Sequence, residues 1–498
     1  MNDPIHIHGY APDLDPATPG IITACAALVP SMKGMKAAPS SSDVGLNALS
    51  AACKGSAVIR KLDNSTRFIA GSATKLEENV SGASWTDRTR VVGGAYSLGA
   101  DTRWRFAQFG DFTLAIAKSD LLQVSSSGAF ADVAGAPKAE IVDTVGQFVM
   151  LLNTNEAVFG DSPDRWFCSG IGTHTVWTPA LATQCASGRL TSSQGPLRGG
   201  RRLGDAMVAY KDRSMFLGVY VGPPLVWDWR EVSDTVGAPC QEVIVPITTK
   251  GGGAAHILMG HDDFYYYDGS RPVPIQNPVK KTIFEAINRS FISRSWALHD
   301  RSNSIIYFFF VTTAGGVIDS GVAYNYRKDQ WIDAWGRHDL TIEAAAEYVS
   351  PGVTYDELGT LYSTYNTDIP FSYDSPFWVA ATPSPAIFNT SHKVNTLSGT
   401  PGASSFTLSD IGNDNDIVTV RRARPRYLTA PSSATLQNSY KMLSGESFTN
   451  DATTSLDTGK FDFIRSARWH RLSHSATGNM EIPHARGMLL DTVPDGEE

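Results

Sequence analysis

The chain has 498 residues, 42% of them hydrophobic and only 18% charged, with 44 Gly and 27 Pro. That balance excludes disorder and coiled coil, and it fits a turn-rich globular chain long enough for roughly two to four domains or one large propeller with appendages. The formal net charge of -8 argues against non-specific binding of nucleic acid by the surface as a whole, while leaving room for a local basic patch.

The first residues, 1–51, read as an extended N-terminal arm. Pro4, Pro12, Pro16, Pro19, Pro30 and Pro39 prevent long helices, and the small polar run Ser40-Ser41-Ser42-Asp43 follows them. Such an arm either packs on its own domain or reaches a neighbouring subunit. His6 and His8 alternate as ligands on one strand face would, but no Cys, Asp or third His shares a ligand-like spacing, so no metal or other cofactor is expected. Ile21 to Val29 resembles a signal-peptide core in apolarity, yet Asp13 and Asp15 stand where basic residues belong and the run is too short to span a bilayer. No targeting segment or stable membrane insertion is expected. Cys25, Cys53, Cys168, Cys185 and Cys240 form no C-x-x-C pair and are odd in number, which suggests reduced, mostly buried thiols in a protein assembled in a cytosol.

From about residue 52 to 374 the chain repeats one phrase: strand, polar turn, strand. Ser56 to Leu62 and Arg67 to Ala70 flank the turn Asp63-Asn64-Ser65-Thr66, and Arg103 to Phe109 turns at Gly110-Asp111 into Thr113 to Lys118. Further pairs are Ala139 to Val145 with Gln147 to Asn153, Ala206 to Tyr210 with Met215 to Val221, Val243 to Thr248 with Ala255 to Met259, and Ser295 to His299 with Ser304 to Val311. Aromatic second hairpins follow, as at Phe264 to Tyr267 before Asp268-Gly269, and at Val322 to Tyr326 before Gln330 to Trp335; another unit is expected near Tyr355 to Tyr365. The spacing of roughly 35 to 65 residues predicts an all-β fold with a β-propeller body of about six or seven blades. One helix is expected, over Val279 to Arg289, where Ile283, Ala286 and Ile287 repeat at helical spacing.

The stretch Lys211 to Cys240 shows the phrase most clearly. Two aromatic strands are separated by Gly222-Pro223-Pro224, which cannot continue a hydrogen-bonded ladder. Trp227 and Trp229, two apart, should share one face, directed either to the core between blades or to the next subunit. After Asp374 the composition turns polar and Gly/Ser/Thr-rich, which predicts a separate C-terminal β module over residues 375–498.

Catalytic residues are not expected. Asp262-Asp263, or Asp228, Glu231 and Asp234, could supply one acid of a glycosidase pair, but acids on turns are ordinarily solvent-facing caps. No G-x-S-x-G, H-E-x-x-H or GxxxxGK[ST] motif occurs, and Gly251-Gly252-Gly253 reads as a hairpin tip. The basic groups Arg198, Arg201 and Arg202, and Arg421, Arg422, Arg424 and Arg426, are the candidate contacts with a neighbouring subunit or with DNA. A stacking platform needs interleaved aromatics, and only Tyr427 lies close, so pairing with the excess acids of another subunit is the favoured use.

Several phrases together resemble a known family. They are Tyr10 to Gly20 (YAPDLDPATPG), Trp104 to Asp111 (WRFAQFGD), Ala136-Pro137-Lys138-Ala139, Arg165-Trp166 before Trp177, Tyr220 to Trp227 (YVGPPLVW), Asp263 to Gly269 (DFYYYDG), Tyr355-Asp356-Glu357-Leu358, Asp374 to Trp378 (DSPFW) and Phe388 to Gly399 (FNTSHKVNTLSG). In order and spacing the chain from about residue 10 to 400 resembles the tail nozzle proteins of short-tailed bacteriophages, a group that includes the packaged-DNA stabilisation proteins.

That resemblance implies a non-enzymatic structural virion protein with a propeller body, assembled in the host cytoplasm as a homohexameric ring at the distal end of the phage tail. Its implied partners are a tail adaptor protein, tail fibre or tailspike proteins, and the double-stranded DNA that the ring retains and conducts during ejection. The acidic net charge suits a channel for a polyanion, because each neutralised phosphate would add salt-dependent affinity. The alternatives are a receptor-binding propeller at the tail tip, or a carbohydrate-active one.

Overall fold

A computed structural model describes residues 2–63, 65–80, 82–249, 251–327, 335–349 and 383–497. Among the described residues the chain is all-β apart from one short helix and two 3₁₀ turns. Tight polar turns fold successive strands back on each other, and seven antiparallel sheets result. Their innermost strands are Gly55–Arg60, Arg105–Phe109, Lys138–Val145, Leu197–Leu203, Ile244–Thr248, Trp296–Asp300 and Ala344–Tyr348. Each of these packs beside the next in chain order, and the seventh packs beside the first. That closed circle is a seven-bladed β-propeller.

The seventh blade is completed by the far end of the chain. Ala344–Tyr348, Ser384–Phe388 and Val394–Gly399 form its first three strands, and Ser40–Asp43 is the fourth, with Thr396 opposite Ser42 and Asn395 opposite Asp43. Lys393 and Asp43 add an ion pair of 3.0 Å at this seam. The sixth blade, Trp296–Asp300, Ile305–Phe310, Ser320–Asn325 and Trp335–Arg337, continues outward through Leu28–Pro30 and Gly34–Ala37 to Glu481–Pro483. Residues expected as an extended arm are thus strands of the chain's own sheets.

The C-terminal unit is a two-sheet β-sandwich. One sheet runs in the order Asn2–Ile5, Met488–Glu497, Asp416–Pro425, Phe461–Ala467. The other runs Ile22–Ala26, Ala403–Leu408, Trp469–Thr477, Ser433–Lys441, Thr449–Asn450. Val420, Ala423, Phe461 and Leu490 from the first meet Phe406, Leu436 and Leu472 from the second, in a core that continues through Ile482 and Trp335 into blades four to six. The expected boundary at 374/375 lies outside the described residues; beyond it, Ser384–Phe388 and Val394–Gly399 are still strands of blade seven, the latter paired with Ser40–Asp43. The C-terminal share of the sandwich begins at Ala403, and Asn2–Ile5 and Ile22–Ala26 complete its two sheets.

Leu197–Leu203 is among the strands that escaped the sequence reading. It carries two glycines and three arginines, yet it is the innermost strand of blade four, so the pair Ala206 to Tyr210 and Met215 to Val221 supplies that blade's second and third strands. The glycines permit close blade packing: a Cβ on Gly200 would stand 2.3 Å from Leu152 Cδ1 and 2.7 Å from Met207 Cε. Trp227 and Trp229 both face blade three. Trp227 is edge-on to Phe148 at 5.6 Å, and Trp229 lies 5.6 Å from Trp166, so this face is core between blades. The helix spans Lys280–Ala286, shorter than the expected Val279 to Arg289. Asp13 accepts from its first-turn amides, Lys281 N at 2.6 Å and Thr282 N at 2.9 Å. The expected unit near Tyr355 to Tyr365 and the segment Gln330 to Ala334 lie outside the described residues. All five cysteines are free thiols.

Candidate functional site: the arginine clusters and the propeller axis

The structure separates the two arginine groups. Arg198, Arg201 and Arg202 lie along the innermost strand of blade four, where alternation sends them to different surroundings. Arg198 Nε bonds Asp212 Oδ1 at 3.0 Å. Arg202 is exposed, and its backbone joins blades: its N–H donates to Asp143 Oδ2 of blade three at 2.9 Å, and its carbonyl accepts from His256 Nε2 of blade five at 2.9 Å. Since the carbonyl can only accept, His256 carries its proton on Nε2 and Nδ1 accepts from the Tyr210 hydroxyl at 2.7 Å. Burial pushes this imidazole down to about 4, so it stays neutral and structural. Arg201 faces the axis.

Arg421, Arg422, Arg424 and Arg426 belong to the sandwich, on and just after Asp416–Pro425. A register shift between Val420 and Arg422 leaves Arg421 in a bulge. On either side of it, Val420, Ala423 and Pro425 face the core, while Arg422 and Arg424 line a solvent-facing recess with Leu489 and Asp491. Arg422 pairs with Asp462 at 2.5 Å. Arg424 and Arg426 are exposed and, among the described residues, have no ion-pair partner. Tyr427 turns inward, its hydroxyl hydrogen-bonded to His474 Nε2 at 2.7 Å; burial takes His474 down to about 4, leaving it neutral. The row therefore has no aromatic platform from Tyr427.

The site that sequence inspection missed is on the propeller axis. Arg105 opens the innermost strand of blade two, and Glu242 sits in the 3₁₀ turn Gln241–Val243 that leads into blade five. Arg105 Nε reaches Glu242 Oε1 at 2.8 Å and Nη2 reaches Oε2 at 3.2 Å, so the pair is bidentate and bridges blades on opposite sides of the ring. Arg105 Nη1 also bonds the Glu140 carbonyl at 2.7 Å and its carboxylate at 3.2 Å, in blade three. Arg103 stands 3.5 Å from Glu242, lies over the Trp296 ring of blade six at 4.8 Å, and donates to Ser295 O at 3.3 Å. Glu140 in turn accepts from Asn153 Nδ2, which Lys118 contacts together with Asp161. Burial by itself would raise the Glu242 carboxyl, but Arg105 and Arg103 bring it down to about 2. Glu242 and Glu140 in turn outweigh burial at Arg105 and raise its pKa. The alternation of Arg103 and Arg105 around the buried Trp104 was visible in sequence; their partner, 137 residues away, was not.

The candidate acids are dispersed. Asp263 is paired with Lys280 at 2.8 Å and accepts from Asn277 at 2.9 Å, and Asp262 accepts from the Tyr265 hydroxyl at 3.3 Å. Asp228 and Glu231 are exposed on the outer strand of blade four, with Asp234 just beyond it. None of these five lines the axial cavity. Folding brings His484 to within 4.6 Å of His8 and 6.2 Å of His6, ring centre to ring centre. Among the described residues, however, no group of three or more His, Cys, Asp or Glu could hold a metal ion. No described helix is long and apolar enough to cross a membrane.

No protein-family model matches the chain, and no curated protein matches it. Solved structures do. YCF48 bound to a D1 peptide is 11% identical, over 60% of this chain and 83% of that one, with a TM-score of 0.33. An exo-β-1,3-galactanase from Phanerochaete chrysosporium with galactose is 8% identical, over 91% of this chain and 99% of that one, with a TM-score of 0.28. An ancestral GH74 enzyme is 9% identical, over 69% and 54% respectively, with a TM-score of 0.33. At these identities the likeness concerns the fold alone, and the seven closed sheets define that fold more directly.

Proposed function

We propose that this chain is a structural virion protein that packs side by side with copies of itself into a ring at the distal end of a phage tail. In this reading the lumen between subunits retains packaged DNA and conducts it during ejection, and a tail adaptor protein binds the ring. The observation that carries the reading is the row Arg422, Arg424 and Arg426 on the solvent-facing side of the sandwich, in a chain whose net charge is -8. Arg424 and Arg426, which have no ion-pair partner among the described residues, suit contact with the acidic surface of a neighbouring copy.

Two further features support a subunit rather than a conduit in itself. The propeller's own axis is bridged by Arg105 and Glu242, so any passage for DNA forms between chains. The sheet that runs from blade six through Leu28–Pro30 and Gly34–Ala37 to Glu481–Pro483 ties sandwich and propeller together, which suits a body that must bear load. The test is light scattering and low-resolution imaging of purified protein at micromolar concentration with and without the adaptor. A ring is expected; a stable monomer in the presence of adaptor would overturn the proposal. Arg424→Glu with Arg426→Glu should lower assembly while leaving the melting temperature of the single chain unchanged.

A further inference from the structure

We infer that one end of the propeller, over blades two to four, is the surface through which this chain pairs with a second copy of itself, the same face of each copy meeting the other. In a four-stranded antiparallel blade the first and third turns lie at one end. At that end stand Phe112 after the first turn of blade two, Ile171 and Leu181 in the loop 169–185 that is the third turn of blade three, and Tyr220, Val221 and Leu225 at the third turn of blade four. Contacts join them into one surface. The Phe112 ring lies 4.3 Å from that of His174 in the loop, and the Tyr220 hydroxyl donates to Gln184 Oε1 at 2.5 Å near the loop's end. The tip of blade four stands proud, because its second strand ends opposite Val219 and the third runs on to Gly222 with only the fourth beside it. Leu181 is 64% exposed, Leu225 59%, Val221 52% and Tyr220 40%. The six apolar side chains leave on the order of 500 Å² uncovered, where the largest patch on a monomer is about 300–600 Å² and often functional. The face is preformed: Trp177 packs on Phe167 at 6.0 Å with its Nε1 on His174 O at 2.8 Å, and Tyr220 lies 5.3 Å from Phe148. Little ordering entropy therefore opposes binding.

Charge decides the occupant. Residues 169–185 and 219–225 contain no Asp, Glu, Lys or Arg, in a chain that is 18% charged and carries a net charge of -8. Burial holds His174 below the ordinary imidazole value, so it too is neutral at pH 7. A phosphate backbone or a strongly charged protein finds no counter-charge here. Two copies of an acidic molecule repel across most of their surfaces, and an uncharged face removes that repulsion where it is opposed to itself. Two-fold pairing uses the same patch twice, so apolar surface on one copy meets apolar surface on the other. With the uncharged Thr, Pro and Ala residues exposed in the same turns, each copy's face approaches the roughly 800 Å² per partner of a standard interface. The contact involves none of the sandwich arginines and does not rest on the ring.

Sedimentation velocity of the full chain, as the parent and as the Arg424→Glu, Arg426→Glu double variant, from micromolar to tens of micromolar concentration, tests it. The double variant separates this pairing from ring assembly and should still form dimers. Amide exchange in 169–185 and 219–225 should slow as its concentration rises. Adding Leu181→Asp or Leu225→Asp, each at an exposed side chain, should weaken pairing at least tenfold and leave the melting temperature of the single chain unchanged. A double variant that stays monomeric at tens of micromolar would assign the face to a different protein and overturn the inference. Aspartate variants that pair as tightly as the double variant, or dimers whose exchange protection falls elsewhere, would overturn it as well.

Discussion

Replacing Glu242 by Gln probes the axial bridge most directly. The substitution keeps the shape and loses the charge that Arg105 contacts at 2.8 and 3.2 Å and Arg103 at 3.5 Å. Removing one partner of a buried pair ordinarily costs about 3–5 kcal/mol, because the other charge is left without compensation. Here Glu140 still holds Arg105 at 3.2 Å, which places the expected loss at the lower end, roughly 3 kcal/mol. The pH dependence gives a second value for the same quantity. Glu242 stands at about 2 in the folded chain against an ordinary 4.5, and a depressed carboxyl contributes stability that is present above the unfolded value and is lost as pH falls toward the folded one. The shift corresponds to about 3 kcal/mol. Urea unfolding of parent and Glu242→Gln at pH 7 and at intervals from pH 5 down to 3 is the assay. The two stabilities should differ most at pH 7 and converge as the pH falls. Parallel curves over that range would refute the argument, since the bridge would then contribute nothing that depends on the charge of Glu242. Replacing Arg105 and Glu242 together by Leu should cost less than either replacement alone.

Deleting residues 1–43 removes the outer strand of blade seven, two sandwich strands and the hairpin between blade six and Glu481–Pro483. The exposed edges should make the protein aggregate and expose the Val394–Gly399 strand to protease; an unchanged melting temperature would contradict the closure. Gly71→Ala should destabilise by about 1–3 kcal/mol, because its Cβ would lie 2.2 Å from Trp104 Cδ1 in a ring held by Nε1 on Ser72 O at 2.9 Å. Thermal melting checks this. Trp227→Ala, removing a side chain that is 2% exposed between blades three and four, should cost about 3–5 kcal/mol in urea unfolding.

Strand and turn chemistry is local, and so the blades were legible. Asp63 to Thr66, Gly110-Asp111 and Asp268-Gly269 each specify a turn within a few residues, and the alternation beside them specifies which face is buried. The same locality allowed the shared face of Trp227 and Trp229 to be anticipated. Leu197–Leu203 was missed because its glycines and arginines carry no strand propensity; the packing of Leu152 and Met207 against it is what selects glycine there. Of the candidate contacts, the seven arginines were visible as types but not as a site. Alternation and a bulge divide them among an axial cavity, an ion pair with Asp212, a blade junction and a solvent-facing row.

What the sequence by itself determined is the all-β grammar, an approximate blade count, and the acidic balance that bears on any nucleic-acid partner. Only the tertiary structure decided where the ring closes. Ser40–Asp43 reads as the polar end of an extended arm because nothing in those four residues distinguishes a polar edge strand from a loop. It becomes a strand when the ring leaves the backbone donors and acceptors of Val394–Gly399, more than 350 residues later, without a partner. The Arg105–Glu242 bridge arises in the same way. Seven blades must close before a residue of the second can meet one of the fifth, and no local rule reports a distance set by the whole circle.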